Sequence, residues 1–236
     1  MATKKVKIKV TKKKVNIKRI ILVLLALILV IFWIIYFIHR PLKNIYVSGN
    51  SIVPDKDILE LSKLSDYPPY INTYFMNIES NLLKNDYIKN VGIKRKIPSK
   101  IYIHVEEYKP IAIYKDNLIL SSKKMVSNDY KINYVPYISN EIDNIYDKFV
   151  ESFNKVDSDI LFKISHIEYV PNDVDKERFI LYMIDSNYVY ITLSKIEKIN
   201  KYNSIVNKLE GKKGIIYLDS GDYVEIKDWH NKIVII

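Results

Sequence analysis

The sequence predicts an α+β protein with a single transmembrane helix. Three observations support this: a long apolar run near the N-terminus, a following segment that alternates between strand and helix patterns, and a second half rich in short strands separated by turn residues. We expect a βααββ unit over residues 43–108 and a mixed, mostly antiparallel β domain with helices packed on it over residues 111–227. Residues 228–236 would form a C-terminal tail.

The apolar run Ile20–Ile38 contains no charge, no proline and no glycine. At a rise of about 1.5 Å per residue it spans roughly 28 Å, close to the bilayer hydrocarbon thickness of about 30 Å. A cleaved signal peptide and the buried helix of a soluble protein are the alternatives. The run is longer than a signal-peptide core, and residues 38–42 offer no small-residue cleavage site. We therefore expect an uncleaved transmembrane anchor over residues 20–38.

The formal net charge of +10 is concentrated at the N-terminus, where residues 1–19 carry nine basic side chains and no acidic ones. Residues 20–236 hold 28 basic and 27 acidic side chains and are nearly neutral. The positive-inside rule therefore predicts a cytoplasmic N-terminus, with the chain beyond about residue 40 outside. The basic tail either serves only this topology and contacts anionic lipid, or also docks a cytoplasmic partner. A neutral external part argues against a nucleic-acid partner.

The βααββ unit is predicted to begin with the strand Asn44–Ser48 and the turn Gly49-Asn50. Two helices follow, one opening at Pro54-Asp55 and a shorter one over residues 76–83. The clearest strand of the chain covers residues 101–106, where apolar and polar side chains alternate. Its apolar face needs a cover, which the two preceding helices can supply.

The β domain is predicted from alternation, helical periodicity and turn residues. Its elements are a hairpin around Asp116-Asn117, a short extended stretch over 134–138, a helix over 141–156, strands over 162–170, 178–184 and 188–193, and a final hairpin joining 215–218 to 223–227. Between the last strand of the middle group and the final hairpin, Ser194 and Glu197 have the spacing of a capping box. They predict the start of a helix that ends at Gly211.

The sequence offers no recognisable catalytic, metal-binding or cofactor-binding residues. The chain has no cysteine and four histidines without metal-ligand spacing, and it lacks the glycine-rich phosphate and nucleophile motifs. Ser121-Ser122-Lys123-Lys124 matches the S-x-x-K motif of penicillin-binding enzymes, but Ser121 is expected in a turn where that nucleophile should open a helix. His104 and Glu106 share one strand face, which is typical of a solvated surface. We expect neither an enzyme nor a small-molecule substrate.

Three stretches carry short patterns of fixed residues. Residues 45–50, Ile-Tyr-Val-Ser-Gly-Asn, contain a V-x-G-N signature. Residues 91–112 fit the run V-x-V-x-R-x-x-P-x-x-L-x-I-x-V-x-E-x-x-P-I-A at nearly every fixed position, and residues 217–224 are similar to a D-L-R-Y-x-x-G hairpin without its arginine. These stretches resemble the FtsQ/DivIB family of bacterial cell-division proteins, and the first two resemble its POTRA domain. The POTRA motif residues are Ile45, Val47, Gly49, Asn50, Arg95 and Pro98.

The resemblance implies a non-enzymatic scaffold of the division machinery, located in the cell membrane at the division septum. Its partners would be FtsB/DivIC-like and FtsL-like single-span division proteins and, indirectly, septal peptidoglycan synthases. Neither a cofactor nor nucleic acid is implied. Another membrane-anchored POTRA-type interaction module, in transport or sporulation, is the alternative.

Partner binding is expected at the last strand, because a sheet edge offers unpaired backbone groups to which a partner can add a strand. By similarity, the candidate residues are Tyr223, Val224, Glu225, Ile226 and Lys227. An ordinary outer strand without a partner is the alternative. Most POTRA motif residues are explained by structure, as core strand, turn and turn proline, whereas Arg95 is either solvated or a partner contact.

Overall fold

The structure of the chain, a computed structural model, describes residues 16–74, 76–97 and 99–226, together with the backbone of residues 233–235. Most of the predicted basic tail, Pro98 and Lys227 lie outside the described residues. The predicted fold class is confirmed: one long apolar helix precedes a three-stranded sheet and a ten-stranded sheet with helices packed against them.

The apolar helix α1 (Ile17–Ile38) has 22 residues, a mean hydropathy of 3.3 and no buried side chain. It is long and apolar enough to cross a membrane. The helix begins three residues before the predicted span, since helical hydrogen bonding continues into Lys18 and Arg19 without regard to their charge. It ends where the backbone N–H of His39 donates to the carbonyl of Ile35 at 3.0 Å.

Residues 41–108 form the small unit, built on a three-stranded sheet. Its elements are β1 (Asn44–Ser48), α2 (Asp55–Leu61), a 3-10 helix (Tyr70–Tyr74), α3 (Ile78–Leu82), β2 (Ile88–Lys96) and β3 (Lys100–Glu107). β3 is the central strand, parallel to β1 and antiparallel to β2. Its inward side chains Ile101, Ile103 and Val105 are fully buried in a core that includes Ile58 of α2 and Leu82 of α3. The helices therefore cover the apolar face, as predicted.

Residues 110–226 and the strand at 233–235 form the large unit. Its elements are β4 (Pro110–Tyr114), β5 (Asn117–Leu120), β6 (Met125–Ser127), β7 (Tyr137–Ile138), α4 (Tyr146–Phe153), α5 (Ser158–Leu161), β8 (Ile164–Tyr169), β9 (Arg178–Met183), β10 (Tyr188–Thr192), a 3-10 helix (Leu193–Lys201), α6 (Tyr202–Lys208), β11 (Gly214–Tyr217), β12 (Tyr223–Ile226) and β13 (Ile233–Ile235). The strand order is β13-β12-β11-β10-β9-β8-β7-β4-β5-β6. Six strand pairs are antiparallel and three, β4–β7, β7–β8 and β10–β11, are parallel.

Helices cover one face of the large sheet, whereas the opposite face is buried against the small unit at β4 and β5 and, among the described residues, is half-exposed at β9 to β12. The rings of Phe149 and Phe153 on α4 stack at 4.2 Å, and Phe149 reaches Phe179 of β9 at 5.6 Å. All three rings are fully buried in the core of the unit. On the opposite face of β9 to β12, alternate side chains are half-exposed.

Two predicted helices differ in detail. The helix predicted over 141–156 is shorter in the structure, where only α4 is helical. Residues 142–145 form a turn instead, closed by a hydrogen bond from the Ile145 N–H to the Ile142 carbonyl. The prediction of a capping box at Ser194 and Glu197 is wrong. The helix begins at Leu193 as a 3-10 helix with Thr192 at its N-cap and no side-chain cap bond, so Ser194 lies inside its first turn.

The two units abut, as expected from the lack of a linker near residue 110. The Tyr87 hydroxyl of the small unit donates to the Ser127 carbonyl at 2.6 Å, and the Tyr130 hydroxyl donates to Asp57 of α2 at 3.1 Å. All five residues of β4 are buried, with Ile111 in the core of the large unit and Ile113 in that of the small unit. A single strand thus contributes side chains to both cores.

Candidate protein-binding surface

The candidate partner-binding strand, β12, lies next to last in the ten-stranded sheet. β11 pairs with one side of it, and β13 pairs with the other in antiparallel register, with Val224 opposite Val234. The expectation that residues 223–227 form the outermost strand is therefore wrong, because residues expected to be a tail contribute one more strand. Partner binding at Tyr223–Ile226 stays a prediction, and Lys227 lies outside the described residues.

The four described residues of β12 divide by face. Val224 and Ile226 point into the core and are 0% and 5% exposed, whereas Tyr223 and Glu225 are half-exposed on the uncovered face. Because successive strand residues alternate, only Tyr223 and Glu225 can offer side chains to a partner on that face. Val224 and Ile226 can contribute only backbone groups without leaving the core.

Tyrosines of neighbouring strands form a cross-strand stack that ends at β12. The ring of Tyr223 lies parallel to that of Tyr217 on β11 at 4.6 Å, and Tyr217 stacks on Tyr190 of β10 at 5.1 Å. The Arg178 guanidinium of β9 completes the stack, 4.2 Å from the ring centre of Tyr190. Such pairs stabilise a sheet beyond area burial, so the stack holds β12 in register with the three strands behind it. The sequence signal for it is the tyrosine at alternating strand positions, which does not show that these strands are neighbours.

The turn that leads into β12 is fixed by basic side chains from outside the hairpin. Arg178 Nε lies 2.7 Å from Oδ2 of Asp219, in an ion pair whose carboxylate side chain is only 8% exposed. Lys198 Nζ lies 2.6 Å from both carboxylate oxygens of Asp222. The sequence pattern lacks the family's arginine in this hairpin, yet an arginine of β9 does bind the turn.

Two tyrosine hydroxyls on the uncovered face stay protonated well into the alkaline range. Burial, together with the nearby Glu225 carboxylate, raises the pKa of Tyr217, whose hydroxyl lies 3.4 Å from Glu225 Oε2. A hydrogen bond to Glu168, reinforced by burial, raises the pKa of Tyr182 to about 12. Both hydroxyls therefore act as neutral hydrogen-bond donors to carboxylates at physiological pH.

The POTRA motif residues of β1 and its turn have structural positions. Ile45 and Val47 pack against the core of the small unit. Gly49 has φ +87°, and a Cβ there would lie 2.3 Å from the Val105 carbonyl oxygen, so only glycine fits. The amide of Asn50 donates to the Val53 carbonyl at 2.9 Å and to Asp55 at 2.8 Å, which orders the entry into α2.

Arg95 is not simply solvated, and its role as a partner contact stays a prediction. Its Nε donates to the Thr73 hydroxyl at 3.2 Å and its Nη2 to the Thr73 carbonyl at 2.6 Å. Its guanidinium also lies 4.9 Å from the ring centre of Tyr74. Arg95 thus ties β2 to the 3-10 helix at Tyr70–Tyr74, an element that the sequence did not predict because Pro68-Pro69 indicated only a break.

Glu107 has the most extensive role among residues whose function the sequence did not reveal. Its carboxylate accepts the backbone N–H groups of Ser51, Ile52 and Val53 at 2.8 Å each, and the Ser51 hydroxyl at 2.9 Å. The fixed glutamate of the 91–112 run was the signal, but nothing local showed that it reaches the loop after β1. Neighbouring Glu106 instead points to solvent and pairs with Lys89 at 2.6 Å.

The histidines that the structure describes are dispersed. His104 lies on the exposed face of β3 beside the Ser48 hydroxyl at 3.2 Å, and His166 stacks on Tyr182 at 3.9 Å. Among the described residues, no group of three His, Asp or Glu side chains could hold a metal ion.

Comparison with known proteins gives three findings. Residues 40–108 match the sequence model of the FtsQ-type POTRA domain. The chain is 30% identical over 230 residues to cell division protein DivIB of Bacillus anthracis, covering 91% of this chain and 85% of that protein, and 29% identical over 230 residues to DivIB of Bacillus subtilis, with the same coverage. The solved major extracytoplasmic domain of DivIB from Geobacillus stearothermophilus aligns with a TM-score of 0.38 and 18% identity, over 44% of this chain and 96% of that one.

Proposed function

The chain belongs to the DivIB family of cell-division proteins, and on that basis we propose that it is a non-catalytic, membrane-anchored scaffold of the division machinery. In this proposal α1 is the membrane span, and the charge difference between residues 1–19 and the rest supports a cytoplasmic N-terminus with both folded units outside. A non-catalytic role is supported by relatives that are named as cell division proteins and not as enzymes. The expected site of action is the division septum.

The observation that carries the proposal is the C-terminal edge of the ten-stranded sheet. β12 is held by the tyrosine stack and by the ion pairs of its turn, whereas β13 has three residues and forms the end of the sheet. A partner that supplies a longer extended segment can replace β13 and pair with β12 through backbone hydrogen bonds. The half-exposed Tyr223 and Glu225 would then contact side chains of the added strand.

The proposed partners are small single-span division proteins of the FtsB/DivIC and FtsL types. A protein with one span in the same membrane presents its external segment at the same height as this chain, so tethering raises the effective concentration of the two partners. Through them the scaffold would help to position septal peptidoglycan synthases.

Crosslinking in living cells tests the partner strand. A photoreactive phenylalanine analogue is placed at Tyr223 or Glu225, and a matched control is placed at Tyr182, which is half-exposed on the same face of the sheet but lies on β9, away from the edge. We expect a DivIC-like or FtsL-like protein to be captured at 223 and 225 and not at 182. Equal capture at all three positions, or capture at 182 alone, contradicts the proposed edge.

Substitutions on β12 test the same strand biochemically. Val224→Pro removes a backbone donor and is expected to weaken co-purification of the partner. Because Val224 is buried, Tyr223→Ser and Glu225→Lys provide variants that leave the core intact. Unchanged co-purification with all three folded variants would contradict the proposal.

The cellular location is tested with a fluorescent fusion of the chain, which is expected at midcell. A uniform membrane signal throughout the cell cycle would favour a different interaction module.

A further inference from the structure

The end of the small unit nearest to α1 carries a group of basic side chains around one exposed apolar residue. The turn between β2 and β3 presents Ile97, which is 78% exposed, between the exposed lysines Lys94, Lys96 and Lys100. Residues 94–100 contain four basic side chains and no acidic one. A single exposed apolar side chain is common on protein surfaces, so the feature of interest is its place among four basic side chains beside the end of α1.

The strand register places this turn beside the end of the span. β1 starts at Asn44, opposite Lys100 of β3, and Lys100 is opposite Lys96 of β2. The backbone N–H of Lys43 donates to the Ser99 carbonyl at 2.9 Å, so the turn is bonded directly to the segment that leaves α1. Five residues, 39–43, separate Ile38 from Asn44. At no more than about 3.5 Å for each of the six steps, the turn lies within roughly 20 Å of the end of α1.

The connection between α1 and β1 is fixed on its other side as well. The N–H of Leu42 donates to the Pro68 carbonyl at 3.1 Å, and the N–H of Tyr70 donates to the Arg40 carbonyl at 2.9 Å. Pro41 also forms a bridge with Pro69. The small unit is therefore bonded on two sides to the segment that leaves α1, and the turn between β2 and β3 lies beside that segment.

The same segment bounds an amphipathic groove of about 570 Å³ at the end of α1. Its lining includes Phe32, Ile35 and Tyr36 of α1 together with the basic Arg40 and Lys43. Apolar residues next to cations match the two parts of a phospholipid, an acyl chain and an anionic headgroup. Within the described residues, no carboxylate forms an ion pair with Arg40, Lys43, Lys94, Lys96 or Lys100.

We propose that these residues form a lipid-docking surface that binds anionic phospholipid headgroups of the leaflet in which α1 ends. The lipid-docking surface consists of Arg40, Lys43, Lys94, Lys96, Ile97 and Lys100. The lysines supply electrostatic attraction and Ile97 inserts at the headgroup level. Charge complementarity and continuity with the span favour lipid over a soluble polyanion, because the surface is delivered to the membrane by its own anchor. The surface fixes the orientation of the small unit and does not depend on a partner at β12.

The absence of cysteine from the chain permits a site-specific test with the full-length protein. Ile97→Cys and the control Val174→Cys, at a loop position that is 97% exposed in the large unit, are labelled with one fluorophore. The labelled chains are reconstituted into nanodiscs of phosphatidylcholine, with or without phosphatidylglycerol, that contain a headgroup-nitroxide lipid as quencher. We expect quenching at 97 to exceed that at 174 at least threefold, and to rise at least twofold with phosphatidylglycerol.

Charge variants separate attraction from simple tethering. The combined variant Lys94→Gln, Lys96→Gln and Lys100→Gln is expected to remove the phosphatidylglycerol effect at 97, whereas Lys201→Gln, Lys208→Gln and Lys213→Gln, three exposed lysines of the large unit, should preserve it. Quenching at 97 no greater than at 174, or quenching that ignores both lipid charge and the lysine variants, overturns the proposal. Loss of the effect when soluble polyglycerol phosphate is added at equal phosphate concentration overturns the assignment to lipid.

Discussion

The small and large units are stabilised by different kinds of contact. In the small unit, single polar side chains fix the backbone: Glu107 binds three consecutive N–H groups of the loop after β1, and Arg95 binds both the hydroxyl and the carbonyl of Thr73. In the large unit, apolar rings packed between α4 and β9 occupy the core, and tyrosines stack across the exposed face.

This difference accounts for the longest run of fixed residues, 91–112, which lies mostly in the small unit. A carboxylate that accepts three N–H bonds, or a guanidinium that binds in a fork, can hardly be exchanged for another residue type. Apolar core positions accept other apolar residues of similar volume. The model of the POTRA domain matches residues 40–108, and the identity of 30% to DivIB of Bacillus anthracis extends over 91% of the chain, so the large unit is aligned with the family as well.

The largest effect is expected from a cavity in the large core. Phe149→Ala should lower the free energy of unfolding by about 3–5 kcal/mol, because a fully buried ring that contacts two others is lost. Phe149→Leu, which keeps the site apolar, should cost only about 1–2 kcal/mol. Urea unfolding of the full chain in detergent measures both values. Equal losses for the two variants would mean that this core is as specific as the polar contacts of the small unit.

The next largest effect is expected at Glu107. Glu107→Gln keeps the shape but removes the charge that accepts three backbone N–H bonds, and should cost about 2–3 kcal/mol. Glu106→Gln, one residue earlier on the exposed face, should change stability by less than about 0.5 kcal/mol. Similar stability losses for Glu107→Gln and Glu106→Gln would show that the three backbone bonds do not explain why a glutamate is fixed at position 107.

A smaller effect is expected at Arg95. Arg95→Lys retains the positive charge but cannot make both bonds to Thr73 and stack on Tyr74, so it should cost about 1–2 kcal/mol. Lys94→Gln, at the exposed neighbouring position, serves as the control and should be nearly neutral. If Arg95→Lys also leaves the free energy of unfolding unchanged, a positive charge at position 95 is sufficient and the fork of the guanidinium is not needed.

The smallest effect concerns the edge of the large sheet. Removing residues 233–236 uncovers β12, and a partner strand then no longer has to displace β13. Loss of so short a strand corresponds to about 1 kcal/mol, or roughly a fivefold gain in partner affinity. Titration of the full and shortened chains with the purified DivIC-like partner measures the difference. A weaker affinity of the shortened chain would mean that the partner docks on β13 itself.

The sequence predicted elements whose pattern is local. The apolar run gave α1, the alternation of Ile101, Ile103 and Val105 gave β3, and Gly49-Asn50 gave the turn after β1. Contacts between distant residues could not be predicted from the sequence. Alternation places Tyr190, Tyr217 and Tyr223 each on the polar face of its own strand, but it does not show that these strands are neighbours. The order β10-β11-β12, with a parallel β10–β11 pair joined by helices, is a property of the tertiary fold.

The sequence correctly predicted a strand at Tyr223–Ile226, but it placed that strand at the edge of the sheet and not next to the edge. Tyr223–Ile226 follows a turn and alternates, whereas the Ile-Val-Ile-Ile ending has neither alternation nor a turn signal, so only the pairing with β12 identifies a strand there. Arg95 illustrates the same limit, since its acceptor Thr73 belongs to a 3-10 helix that follows two prolines and has no periodicity of its own.

The sharing of β4 and β5 between two cores has a consequence for the order of folding during export. The core of the small unit includes Leu118, Leu120, Ile132 and Val135, which all follow its last strand β3 in the chain. In the proposed topology the chain crosses the membrane from α1 onward, so β1, β2 and β3 emerge before the side chains that complete their core. The membrane-proximal unit therefore stays incomplete until Val135 has been translocated. A ribosome or translocon pause before that point would leave it open to proteases and chaperones outside the membrane.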